Sequence, residues 1–208
     1  IEKELQVATW DVSAAEKGGY AHFMLKEIHE EPEAILRTVG SCTRGMLPEF
    51  DADRLDWEAV CHAPHIHIVA CGTAMHAGLV GKRFIEQYAG IPTSVEIASE
   101  FRYSPPIPAK GDLFIAISQS GETADTLAAL RLAKSLAMDS LSLVNVVGSS
   151  VSRESDSVIY TCAGPEIAVA STKAYLVQLT VLYLLAVRLG FANGNLSEQE
   201  AQTLVAAL

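Results

Sequence analysis

Short apolar runs alternate along this chain with stretches whose apolar residues recur every three or four positions. The runs Ile66-His67-Ile68-Val69-Ala70, Thr93-Ser94-Val95-Glu96-Ile97, Leu113-Phe114-Ile115-Ala116-Ile117, residues 141–146 and Ser157-Val158-Ile159-Tyr160 predict five strands. Helical spacing predicts helices over about 75–88, 124–136 and 172–189, with a last one from Ser197. Before the first strand, Phe23, Ile28, Ile35, Leu36 and Val39 fit a helix over about 20–42, with Pro32 as a break, and a short helix is expected over about 53–61. Strand and helix in alternation imply parallel β-α-β units with right-handed crossovers. Strands that are continuously apolar belong to a sheet covered on both faces. The expected fold is therefore α/β, a three-layer, doubly wound, five-stranded parallel sheet flanked by helices. Residues 1–19, mixed in character and carrying Gly18-Gly19, read as a linker or arm, and residues 20–208 as one domain.

In such a sheet, ligands bind outside the carboxyl ends of the strands, at the point where the winding reverses. Three short loops belong to that edge: Cys71-Gly72-Thr73-Ala74, Ser118-Gln119-Ser120-Gly121-Glu122-Thr123, and Val169-Ala170-Ser171-Thr172. Each opens a predicted helix. The first N–H groups of a helix have no intrahelical partners, and the helix dipole adds positive potential there. Ser and Thr hydroxyls add donors without bulk. Any one of these loops could be ordinary helix capping, with Gly121 relieving a turn. Three hydroxyl-bearing helix starts on one edge favour an anion cradle for a phosphorylated ligand.

Composition narrows the classes. The chain has 208 residues, half of them hydrophobic, so one domain with a full core is expected. Its net charge of −10 argues against a nucleic-acid surface and requires local dipoles, not the global field, to hold a phosphate. No run reaches about 18 uninterrupted apolar residues, so no membrane span is expected. The start, Ile1-Glu2-Lys3-Glu4-Leu5, lacks the pattern of a secretory signal and has no initiating Met, so the chain reads as a cytoplasmic piece of something longer. Cys42, Cys61, Cys71 and Cys162 are irregularly spaced and are expected to be reduced thiols.

The segments Cys71-Gly72-Thr73, Val95-Glu96-Ile97-Ala98-Ser99-Glu100-Phe101-Arg102-Tyr103, Ser118 to Thr126, and Val169-Ala170-Ser171-Thr172-Lys173-Ala174 resemble the first sugar-isomerase (SIS) domain of the glucosamine-6-phosphate synthases. These are the isomerising glutamine–fructose-6-phosphate aminotransferases. The resemblance runs from about residue 18 to about residue 189 and implies the flavodoxin-like SIS fold. It implies that Thr73, Ser118, Gln119, Ser120 and Thr123 hold the phosphate of fructose 6-phosphate or glucosamine 6-phosphate, and that Val169, Ala170 and Ser171 line the sugar. Ala74 stands where the family often has Ser, so one hydroxyl is missing or the backbone serves alone.

The resemblance also implies what this stretch lacks. A glutaminase domain precedes the SIS domains in the whole synthases. The isomerising base, the ring-opening His and the Schiff-base Lys come from the second SIS domain and the tail. No catalytic residue, cofactor or metal is therefore expected here, and the unit is expected to bind a hexose phosphate without turning it over. Two rivals remain: a non-catalytic SIS sugar-phosphate sensor, and a deaminase or deglycase of paired SIS domains without a glutaminase. The region from Tyr20 lacks a basic recognition helix, which disfavours a DNA-binding sensor.

Other side chains invite sharper readings. Glu100 and Arg102 could serve as acid/base and anion clamp, but a local ion pair or a dimer contact near the second strand fits them better. Lys173 could reach a phosphate, but a structural pair with an acid such as Glu166 fits it better. His62, His65, His67, His76, Cys61 and Cys71 match no zinc spacing, and Cys71 has no identifiable partner base, so a small buried residue is its expected role. The long helix from Thr172, apolar nearly all round, is expected in a core or at the interface of a homodimer.

Overall fold

The computed structural model describes residues 16–50 and 56–208. The apolar pattern over 20–42 resolves into two helices, α1 (Phe23–His29) and α2 (Glu31–Ser41). Pro32 sits in the first turn of α2, where its missing N–H and fixed φ are tolerated, and so it starts a helix where it would have broken a continuous one. A two-residue hairpin, β1 (Thr43–Arg44) and β2 (Leu47–Pro48), and α3 (Trp57–Cys61) lead into the sheet domain. The expected helix start at 53 and most of the 1–19 arm lie outside the described residues.

There follow β3 (Ile66–Ala70), α4 (Gly72–Phe84) continued by a π turn over Ile85–Ala89, β4 (Thr93–Ile97), α5 (Ala98–Phe101), β5 (Leu113–Ser118), α6 (Ala124–Ser135), β6 (Asp139–Val144), α7 (Ser150–Glu154), β7 (Ser157–Tyr160), α8 (Lys173–Ala192) and α9 (Glu198–Ala206). Five strands pair in parallel in the order β4-β3-β5-β6-β7. The expected doubly wound sheet is therefore present, with its reversal of winding between β3 and β5.

Period-two alternation sorts the strands' side chains into two cores. Ile66, Ile68, Ala70, Ile115, Ile117, Leu141 and Leu143 face one way, with α4, α8 and α9 over them. Val69, Phe114, Ala116 and Val144 face the other, under α5, α6 and α7. Gly78 lets α4 lie close against the first face and Gly81 lets it lie close against α8: a Cβ at Gly78 would stand 2.8 Å from Ile68, and one at Gly81 2.8 Å from Leu182.

Three expectations shift. The helix after β3 begins at Gly72, ahead of its apolar pattern, because the loop residues themselves form its first turn. Strand β6 ends at Val144, not at residue 146. There the Asn145 amide leaves the ladder, donating to Gly164 O at 2.8 Å and accepting from Ala163 N at 2.9 Å and Thr161 Oγ1 at 3.2 Å. Helix α8 is long and apolar enough to cross a membrane by length and composition, but two-thirds of that stretch is buried inside the fold. It is the core helix, so its apolar surface is spent within one chain.

Candidate functional site

Strands β3 and β5 stay paired through Ala70 and Ile117, and a cleft of about 220 Å³ opens beyond their carboxyl ends, at the winding reversal. Eight of the nine predicted site residues line it: Thr73, Ala74, Ser118, Gln119, Ser120, Thr123, Val169 and Ser171. Ala170, exposed in the third loop, does not. Cys71, Ile117, Glu166, Ala168 and Gln178 also line the cleft and were not singled out as site residues from the sequence.

The Ser118 loop is shaped by its own hydroxyls. Ser118 Oγ accepts from Gly121 N at 3.0 Å and lies 3.3 Å from Thr123 Oγ1. Ser120 Oγ accepts from Glu122 N at 3.2 Å. Gly121, at φ +65, carries the chain past Ser149, which a Cβ would strike. The loop is braced from α7: Val151 N donates to Gly121 O at 2.9 Å and Ser150 N to Glu122 Oε1 at 2.8 Å. The hydrogen bonds from Ser150 hold the Glu122 carboxyl below the usual carboxylate range.

Capping does not explain these hydroxyls. Thr123, the N-cap of α6, makes no side-chain cap bond, and neither does Cys71, the N-cap of α4. Two helix N-termini thus meet the cleft with first-turn N–H groups unclaimed by a cap side chain. Thr126 Oγ1, fully buried on α6, donates to Cys71 Sγ at 3.9 Å and ties the two loops together. Cys71 is thus a small spacer in a hydrogen-bonded seam.

The third helix start differs from the expectation. At the head of α8, Glu166 accepts from Thr172 N at 2.9 Å, Ala174 N at 3.1 Å and Ser171 Oγ at 3.0 Å. A carboxylate already occupies that dipole, so this end of the cleft repels an anion where the other two loops attract one. Lys173 does not pair with Glu166. Its ammonium is buried against Glu30 at 2.6 Å, which removes it from the ligand.

The loop bearing Ala168 and Val169 is held from a distant helix. Glu27 on α1, 2% exposed, accepts from Ile167 N at 2.6 Å and from Ala168 N at 3.1 Å. Arg102 pairs with Asp125 at 2.6 Å, an ion pair outside the cleft lining. Buried His67 lies between Asp112 Oδ2 at 3.3 Å and Ser94 Oγ at 3.1 Å, so both ring nitrogens face protein partners. Among the described residues no three His, Cys, Asp or Glu side chains converge as metal ligands, and none of the four cysteines forms a disulfide.

Comparison with known proteins bears on the family and the fold. The family model described as SIS domain matches residues 60–188, more than half of the chain. The glutamine–fructose-6-phosphate aminotransferase (isomerizing) of Clostridium acetobutylicum is 53% identical over 207 residues, covering 99% of this chain and 34% of that protein. Its counterpart in Clostridium tetani is 54% identical over 205 residues, covering 98% of this chain and 34% of that protein. This chain therefore spans about a third of the length of the curated relatives it matches. The solved C-terminal domain of glucosamine-fructose-6-phosphate aminotransferase from Francisella tularensis superposes with a TM-score of 0.88 at 43% identity, over 92% of this chain and 54% of that one.

Proposed function

The chain belongs to the SIS-domain family, and from that premise we propose that it is the sugar-phosphate-binding unit of an isomerising glutamine–fructose-6-phosphate aminotransferase. The observation that carries this reading is the polarity of the cleft. Two helix N-termini with hydroxyl-rich loops line it together with a third helix start that a carboxylate already caps. An elongated ligand with one anionic end fits only one way round. Its phosphate lies on Thr73 and the Ser118–Thr123 loop, where each helix dipole contributes about 0.3–1 kcal/mol. Its neutral sugar points toward Val169, Ser171 and Glu166. Local dipoles thereby hold an anion on a protein whose net charge is −10.

Fructose 6-phosphate and glucosamine 6-phosphate are the ligands of this reading. The lining contains hydroxyls, amides and one carboxylate already engaged in three hydrogen bonds. No residue of this chain is assigned to the isomerising proton transfer or to amine transfer, and the unit binds its ligand without turning it over. Residues 20–208 constitute that unit and 1–19 the arm that leads into it. We place the protein in the cytoplasm as a homodimer. The half-exposed apolar residues Met24, Leu25 and Ile28 of α1 are better candidates for its contact than α8, which the core consumes.

Calorimetry with fructose 6-phosphate tests the reading. Replacing Ser118, Ser120 and Thr123 together by Ala abolishes binding if the loop cradles the phosphate. Undiminished binding by that variant would overturn it.

A further inference from the structure

Five buried side-chain polar atoms lack a hydrogen-bond partner among the described residues: Asp112 Oδ1, Ser142 Oγ, Ser157 Oγ, Thr172 Oγ1 and Gln178 Oε1. Only Gln178 among them lines the cleft. It stands in the second turn of α8 and is 3% exposed. An amide oxygen buried without a donor destabilises the fold that buries it. A serine hydroxyl in the same position can rotate toward any acceptor, but the planar amide cannot remake its oxygen into something else. On a helix whose other buried residues are mostly Val, Leu and Ala, a Met or Leu would fill this volume without that penalty. A donor arriving in the cleft that Gln178 lines would satisfy the orphan acceptor.

The chemistry of that donor follows from the surroundings. A phosphate offers acceptors and would be repelled by Oε1. A sugar hydroxyl both donates and accepts, which matches an amide that presents a carbonyl and an NH₂ group. Gln178 shares the cleft with Ser171 and Glu166, the wall that repels an anion. Resting on the sugar-phosphate reading of the cleft, we infer that Gln178 is a ligand-binding residue for the carbohydrate end, pairing its amide with a sugar hydroxyl. It then contributes to selection of a hexose phosphate over bare phosphate, which the hydroxyl loops alone would accept.

The test uses two probes, fructose 6-phosphate and inorganic phosphate, on the whole chain and on three variants, Gln178→Leu, Gln178→Met and Ser120→Ala. Affinities come from calorimetry and ligand-free melting temperatures from scanning calorimetry. Gln178→Leu and Gln178→Met are expected to weaken fructose 6-phosphate about tenfold, to leave inorganic phosphate unchanged, and to melt at or above the parent temperature. Ser120→Ala is expected to weaken both probes. Fructose 6-phosphate affinity undiminished in both Gln178 variants would overturn the assignment. So would an equal loss for the two probes accompanied by a lower melting temperature, because that is the signature of a packing residue. If the unmutated protein binds neither probe, the sugar-phosphate reading fails and this inference falls with it. That outcome is visible before any variant is compared.

Discussion

Gly121→Ala isolates the backbone geometry on which the cradle depends. Two costs add. The residue sits at φ +65, a region that costs an L-residue about 1–2 kcal/mol. A methyl there would also lie 2.0 Å from Ser149 Oγ and 2.5 Å from Ser149 Cβ. Ser149 cannot easily yield: it is 3% exposed, stands immediately before α7, and donates its hydroxyl to Ser152 at 3.2 Å. Overpacking of that kind costs about 1–3 kcal/mol. The sum, about 2–5 kcal/mol, is a large share of a typical domain's stability and corresponds to a fall in melting temperature of roughly 5–15 °C. Gly45→Ala is the internal control, since Gly45 has φ +62 with nothing within 4 Å of the added carbon. It should show the backbone cost alone. Urea midpoints for the two variants measure the difference, and calorimetry with fructose 6-phosphate should show binding lost only in Gly121→Ala. If Gly121→Ala costs no more than Gly45→Ala and still binds, the close approach of Ser149 is not what shapes the loop.

Two further outcomes can be measured directly. Glu27→Ala leaves the Ile167 and Ala168 N–H groups without their carboxylate, which should cost about 2–4 kcal/mol in denaturant unfolding and weaken sugar-phosphate binding through the loop that Ala168 and Val169 share. Burial, then the neighbouring His67, pushes the His65 imidazole below its ordinary value. On acidification the unfolded chain therefore takes up that proton first, so stability is full above about pH 6.5 and falls as the pH drops through the window down to the lowered value. His65→Gln should flatten that part of the melting-temperature profile, and an unchanged slope would remove His65 as its source.

Local patterns carried much of the architecture. Residues 66–70, 93–97 and 157–160 form strands with the expected bounds: the first is a mostly apolar run buried on both faces, and the other two, at the sheet edges, mix apolar with polar residues. The two short helices α5 and α7 had no such mark, being too brief for a 3.6-residue period to repeat. The three loops were legible as hydroxyl-bearing helix starts, yet the same pattern stood for different electrostatics. The helix start after the Ser118 loop is open, whereas Glu166, five residues before Ser171, turns its carboxylate onto the other and neutralises it.

What the sequence determined alone is the order of elements and the character of each loop, since both follow from periodicities and propensities spanning a few residues. What only the tertiary structure decided is the partnering of buried charge and polarity. Lys173 finds Glu30 from 143 residues away, where the sequence offered Glu166 close by. Glu27 reaches Ile167 across 140 residues to set one wall of the cleft. Gln178, in a mostly apolar helix, is left with a buried amide oxygen that has no partner among the described residues, on the lining of the cleft. A buried polar group takes its meaning from whatever folding brings within about 3 Å of it, and no local pattern encodes that.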